Sequence, residues 1–333
     1  MHTGSIDIHT HIVPKEFPTL RGTAPPDWPF MENASCSHAN LIISGQVFRT
    51  ITDAAWSVPR RVVEMASMGI LRQAISPMPE LLSYWLPLES ARVLIRHVNE
   101  TIAAMAAESP KQMIGVGAIP LQAVEAAIEE LRRNVELLGL KAVEVGSNIN
   151  GVPIGDPRFE PFFEAAAALE VAVFVHALRP VAKERLVGPP ALEQIIGFPG
   201  EIALAAASVI TSGTLIRHPK LRIAFSHGGG GLVPLLARLE RYWQEMPKFR
   251  ATLEESPALT ARRAYYDLAV FEPALVRLLA QTMGTSQLLV GSDYPFGAYE
   301  RSPVDLLRRA GLSEDDTSTI TRLNATRYLG LSP

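Results

Sequence analysis

"IDIHTHI", residues 6–12, reads as a short apolar strand that carries two histidines. Side chains alternate faces along a strand, so Asp7, His9 and His11 are expected on one face and Ile6, Ile8 and Ile12 on the other. On that reading the isoleucines pack against covering helices, and Asp7 is a buried polar residue deeper in the fold. Two imidazoles two residues apart on one face can bind one cation if other segments complete the ligand set.

Similar apolar runs recur along the chain, giving candidate strands at 5–12, 70–76, 113–119, 141–146, 171–177, 222–226, 264–270 and 287–292. Helical periodicity marks 90–108, 122–138, 161–169, 232–246 and 273–283. Strands with continuous apolar runs, alternating with helices, predict a parallel sheet covered by helices. Eight such strands in 333 residues fit an α/β fold of the (β/α)8 TIM-barrel type, one domain over 1–333. No glycine-rich dinucleotide fingerprint follows the first strand, which argues against an open doubly wound sheet. Pro, Gly, Ser and Asn crowd residues 14–58, too long for a plain connection; a small insertion after strand 1, placed as a lid, is expected there.

Composition narrows the function classes. The chain is 47% hydrophobic and 20% charged with a formal net charge of −3, which gives no basis for nucleic acid or an anionic membrane surface as partner. The opening residues lack the basic region and apolar core of a secretory signal. The apolar stretch 202–216 reads as too short and too rich in Ala, Ser and Thr to span a bilayer. The one cysteine, Cys36, rules out an intrachain disulfide, suits a reducing compartment and reads as an incidental thiol. A cytoplasmic location is expected.

In a barrel of this type the chemistry gathers at the C-terminal ends of the strands. There the sequence places His9 and His11 (strand one), His176 (strand five), His227 (strand six) and Asp293 (strand eight). Three imidazoles and a carboxylate (His9, His11, His176 and Asp293) with one position left open suit a catalytic Zn2+, or Mn2+, one per chain. His227, in "AFSHGGGG", opens a glycine run that lets backbone or substrate approach closely, and it can act as general base beside a metal-bound water. Lys141 starts the fourth strand instead of ending it, which removes a bridging carboxylated lysine, and Glu144 reads as a polar barrel residue. His2, His38, His97 and His218 read as terminal, insertion, helix and turn residues; of these, His38 is placed to come near substrate.

"DIHTHIVP", "VFVHA", "AFSHGGG" and "LLVGSDYPFG" stand in an order and spacing that resembles the amidohydrolase superfamily, in its branch of metal-dependent decarboxylases. "FRTITDAAWSVPRRVVEM" and "LLARLERYW" extend the resemblance to nearly the whole chain. It implies the same metal ligands, with His227 acting on the metal-bound water and Asp293 in the catalytic set. It further implies that Arg49 grips a substrate carboxylate and that Arg238 reaches a neighbouring subunit's site, so that the protein is a homodimer. One loop departs from the pattern. After the strand-five histidine the family has a Pro-Trp-Asp run, whereas this chain has "HALRPVAKERLVGPP", so Arg179 there points to a different substrate anion.

The reaction these residues point to is nonoxidative decarboxylation of a small unsaturated or aromatic carboxylic acid, with Phe296 lining the pocket. A hydrolase or hydratase acting on an ester, lactone, amide or enol uses the same site and is the alternative. A catalytically dead metal-binding protein is a second rival, disfavoured by the intact set of ligands and base.

Overall fold

A computed structural model describes residues 4–20, 22–33 and 37–332; His2 and Cys36 lie outside the described residues. Thirteen strands occur in chain order among them: β1 (Ile6–Ile12), β2 (Phe30–Asn33), β3 (His38–Ile43), β4 (Gln46–Thr52), β5 (Arg72–Pro77), β6 (Met113–Ala118), β7 (Ala142–Gly146), β8 (Asn148–Ile149), β9 (Val152–Pro153), β10 (Ala172–His176), β11 (Arg222–Phe225), β12 (Tyr265–Asp267) and β13 (Leu288–Leu289). Eight of them form one parallel sheet in the order β1-β5-β6-β7-β10-β11-β12-β13. Helices connect successive strands, as parallel pairing requires.

The sheet closes on itself through the residues that follow β13. The Ile8 N–H donates to the Val290 carbonyl at 2.9 Å, Asp293 N–H to the His9 carbonyl at 2.9 Å, and His11 N–H to the Tyr294 carbonyl at 2.7 Å. The expected (β/α)8 barrel is therefore present. Strands seven and eight are shorter than their apolar runs, because the chain past Asp267 and Leu289 turns into irregular backbone at the barrel mouth.

The inner and outer faces of the barrel separate cleanly. All eight strands contribute to one inner apolar cluster that includes Ile6, Ile8, Ala74, Ile114, Phe174 and Leu289, closed below by Ala325, Tyr328 and Leu329. Ile12, Ile75, Val143, Val175, Phe225 and Val290 belong instead to the larger cluster shared with the helices. This corrects the alternation expected for β1. Its pairing with β5 runs Ile6 to Arg72 and Asp7 to Gln73, then shifts so that Thr10 meets Ile75. Three steps on β1 answer two on β5, a β-bulge that reverses which face later residues occupy. Ile6 and Ile8 thus fill the barrel interior instead of facing helices, while His9 and His11 also turn inward, one layer higher. Asp7 takes the opposite face from the one expected, and accepts bonds from Ser292 N–H at 3.1 Å and Ser292 Oγ at 2.5 Å. Burial raises the Asp7 carboxyl to about 7.

Arg61, on the helix Val58–Ser67, is fully buried behind β1. Its guanidinium donates to the carbonyls of His11 (2.8 Å) and Ala54 (3.0 Å), to Thr10 Oγ1 (2.9 Å) and to Gln73 Oε1 (3.0 Å). It also lies 4.9 Å from the ring centre of Tyr294. A planar fork with fixed donors suits this role, since it joins β1, β5 and the closing segment at once. Burial pulls its pKa down to about 10, still cationic at neutral pH.

Residues 14–58 contain a three-stranded antiparallel sheet, β2-β3-β4, inserted between β1 and the first barrel helix. The helical backbone from Glu193 to Thr211 is longer than the 202–216 stretch suggested, and by length and composition it could cross a membrane. One face of it (Ile202, Ala205, Ala206, Val209 and Ile210) is buried in the core, as in a barrel helix.

Candidate metal centre

His9, His11, His176 and Asp293 each present one ligand atom, and these atoms all lie within 4.8 Å of one another. His9 Nε2 and His11 Nε2 are 3.1 Å apart, and Asp293 Oδ1 is 3.4 Å from the first and 3.1 Å from the second. Ligands about 2.0–2.2 Å from a single ion stand roughly 3.3 Å from each other, so the spacing fits. His176 Nε2 is buried with no hydrogen-bond partner among the described residues, an orphaned acceptor that a cation would satisfy. The four residues form a divalent-metal site.

The other ring nitrogen of each histidine is engaged. Nδ1 of His9 lies 2.5 Å from Asp267 Oδ2, Nδ1 of His11 3.0 Å from the Pro77 carbonyl, and Nδ1 of His176 2.8 Å from the Ala177 carbonyl. Each partner is an acceptor, so each Nδ1 carries the proton and each Nε2 turns its lone pair to the centre. Asp293 sits in the left-handed region at φ +68, which Asp tolerates better than most residues, and the bond from its N–H to the His9 carbonyl holds it there.

The charges are strongly coupled. Without a metal, burial lowers His9, but Asp267 and Asp293 on either side outweigh it and raise the imidazole well above its ordinary range. A cation binding there therefore displaces the Nε2 proton. Burial, and then the neighbouring histidines, hold His176 well below that range. Desolvation pushes the Asp293 carboxyl up, but His9 and His11 hold it well below the usual carboxylate range. Glu144, buried one layer away, bonds Ser76 Oγ at 2.5 Å, and burial raises it to about 8. It is a polar barrel residue 3.7 Å from the distal side of His11.

His227 stands beside the ligands, its ring centre 5.2 Å from His9 and 5.5 Å from His176. Its Nε2 is buried and unpartnered among the described residues. The glycines after it serve close packing. A Cβ on Gly228 would stand 2.8 Å from Val270, and one on Gly230 only 1.9 Å from the Pro199 carbonyl oxygen, while both residues have positive φ.

Above the ligands lies an aromatic and cationic shelf. The Phe296 ring stacks on His11 at 5.7 Å with an interplanar angle of 16°. The Arg49 guanidinium, from β4 in the insertion, lies 4.9 Å from the Phe296 ring centre. Arg179 stacks on Trp85 at 3.1 Å and lines a cavity of about 290 Å³ with Tyr84, Trp85, Asn148, Asn150 and Leu178. Neither arginine has a carboxylate partner within salt-bridge distance among the described residues. Burial raises the Glu80 carboxyl, and Arg49 and then Arg179 pull it back. Trp85 Nε1 is a further buried donor without a partner among the described residues.

The loop that carries Arg179 is held from below. Asn148 Nδ2 donates to the Leu178 carbonyl at 2.7 Å and to Glu201 at 3.0 Å, and Ser147 Oγ accepts the Leu178 N–H at 3.1 Å. Arg179 itself has φ +38, a strained position of the kind found at ligand-binding loops.

Arg238 lies elsewhere, on the exposed face of the helix Leu232–Glu245, beside Tyr242. His38 lines a separate groove with Lys15, Asp53 and Trp56, and His218 pairs with Glu160 at 2.7 Å. Asp267 is the site residue that the sequence did not reveal. It lies inside the candidate strand 264–270, but a lone acid in an apolar run carries no sign of its partner 258 residues earlier.

Comparison with known proteins agrees with this arrangement. The family model described as Amidohydrolase matches residues 6–331. A 2-amino-3-carboxymuconate-6-semialdehyde decarboxylase from Dictyostelium discoideum is 33% identical, over 98% of this chain and 92% of that protein. The crystal structure of a 5-carboxyvanillate decarboxylase from Sphingomonas paucimobilis superposes with a TM-score of 0.76 at 25% identity, covering 82% of this chain and 83% of that one. A dihydroxybenzoic acid decarboxylase from Polaromonas, solved with manganese and 2-nitroresorcinol, has the same fold, with a TM-score of 0.78 at 22% identity over 98% and 97% of the two chains.

Proposed function

This chain belongs to the amidohydrolase family, and from that premise we propose its reaction: it is a metal-dependent decarboxylase that acts on a small aromatic or unsaturated carboxylic acid. The observation that carries the reading is the convergence of four metal ligands beneath Phe296 and Arg49, an arginine with no carboxylate partner among the described residues. Zinc or manganese fits the three-imidazole, one-carboxylate set, one ion per chain; manganese is the ion in the Polaromonas relative.

His9, His11, His176 and Asp293 would hold a divalent cation, which would supply Lewis-acid chemistry to the site. The residues around it do the remainder. Arg49 orients the acid by charge-assisted hydrogen bonds, with Phe296 as the wall against the ring or conjugated chain. Arg179 and the Trp85 N–H take a second acceptor group on the substrate. His227 Nε2, buried and without a partner among the described residues, takes up one proton from solvent as the acid binds and transfers it to the carbon that bears the carboxylate. The bond to the carboxylate carbon then breaks, its electron pair returns to the ring or double bond, and carbon dioxide leaves.

The insertion over residues 14–58 acts as the lid, because it brings Arg49 to the site. A homodimer is part of the same proposal: Arg238 lies between the exposed apolar side chains of Leu235 and Tyr242, where a second copy can cover them and receive the guanidinium. The single cysteine suits a reducing compartment such as the cytoplasm.

The test is carbon dioxide release from a panel of hydroxybenzoates, carboxymuconates and related acids by the metal-loaded enzyme. Release from at least one acid, lost on chelation and regained with zinc or manganese, is expected. Hydrolysis of lactones or amides with no carbon dioxide from any acid would replace this reading with that of a hydrolase.

A further inference from the structure

We infer that Asp267 is the residue that makes His9 a metal ligand, by dictating which ring nitrogen carries the proton. The inference rests on the metal site described above and concerns a residue outside it. Among the three ligand histidines, His11 and His176 have Nδ1 fixed by backbone carbonyls, of Pro77 and Ala177. Substitution of a side chain leaves those acceptors in place. His9 alone depends on a side chain, the Asp267 carboxylate at 2.5 Å.

The geometry of Asp267 leaves it no freedom. Its Oδ1 accepts the N–H groups of Gly228 and Ala269, each at 3.1 Å, so that position must be an acceptor. Oδ2 is then the atom that faces His9. Both side chains are fully buried, which excludes water as a substitute partner. Gly291 makes the seat possible, since a Cβ there would stand 2.8 Å from the Asp267 Cβ. Through Gly228 the same carboxylate also secures the turn that carries His227, so one side chain sets a metal ligand and the neighbouring proton carrier.

This arrangement separates two substitutions that a purely structural role would not. In Asp267→Asn the amide oxygen must stay on the two backbone donors, which turns the NH2 group toward His9. Nδ1 then has to accept, the proton moves to Nε2, and an N–H points into the centre where a lone pair is needed. Asp267→Ala removes the constraint and leaves His9 able to take either tautomer, but two buried N–H groups lose their acceptor.

Zinc affinity measured by chelator competition should therefore fall about 10- to 100-fold in Asp267→Asn and by less in Asp267→Ala. The order of thermal midpoints of the metal-free proteins should be the reverse, with Ala lower than Asn. X-ray absorption of the zinc-loaded proteins should count three imidazoles in the parent and two in Asp267→Asn. Parent-like zinc affinity in Asp267→Asn, or Ala weaker than Asn in both measurements, would overturn the inference. Failure of the parent itself to take up zinc would instead overturn the metal reading, and the inference with it.

Discussion

Ile8 and His9 are consecutive residues that both face the barrel interior, a relationship a regular strand forbids. The β1 bulge produces it. Below the bulge the strand supplies isoleucines to the floor; above it the strand supplies ligands to the mouth. With uninterrupted alternation, a strand with Ile6 and Ile8 inside would turn His9 and His11 against the helices. The bulge allows one strand to serve both layers, and Arg61 and Asp7 secure its outer side.

Removing the metal should cost stability as well as activity. A ligand that binds only the folded state stabilises it by about 2.7 kcal/mol at a hundredfold excess over Kd. Chelation is expected to lower the thermal midpoint, and zinc or manganese to restore it. An unchanged midpoint, with no metal found by elemental analysis, would remove the site assignment.

His227→Asn should cut turnover by about 10²–10⁴-fold while the zinc content stays near that of the parent. The side chain is beside the ligand set and not in it, so metal content and activity should separate. Loss of both together would make His227 a structural residue.

Arg179→Ala should lower kcat/KM roughly tenfold or more for acids with a second acceptor group, through the loss of one charge-assisted hydrogen bond. Simple monocarboxylic substrates should be little affected. Arg49→Ala should impair both classes. Equal effects of Arg179→Ala on both classes would remove its role in selecting substrates.

Arg238 can be tested by mixing. If each site combines His227 of one subunit with Arg238 of the other, a hybrid of Arg238→Ala and His227→Ala subunits contains one intact site. Activity recovered on mixing two inactive variants is the expected result. No recovery, in a mixture shown to contain hybrids, would confine Arg238 to its own chain.

The glycine run should respond unevenly. Gly230→Ala places a Cβ against the Pro199 carbonyl at positive φ, whereas one on Gly231 meets only the Ala203 side chain at 3.8 Å. Unfolding midpoints should show a loss of more than about 2 kcal/mol for the first and little for the second. Equal losses would contradict the packing described for this turn.

The eight-strand pattern, the four ligands and His227 were all legible in the residues, because apolar runs and strand-end histidines are local signals. The periodicity of β1 marked a strand and located the histidine pair. It misplaced Ile6, Ile8 and Asp7, since a bulge is created by pairing with β5 and leaves no mark in a seven-residue stretch. The insertion was visible as a compositional break, but its sheet and its delivery of Arg49 to Phe296 depend on contacts 247 residues apart in the chain. Asp267 lay hidden for the same reason. An acid within an apolar run gains meaning only when closure of the barrel sets it against His9, and closure is a property of the whole sheet. The sequence by itself determined which elements form and which chemistry they carry; tertiary structure alone decided which way each side chain faces and which acid stands against His9.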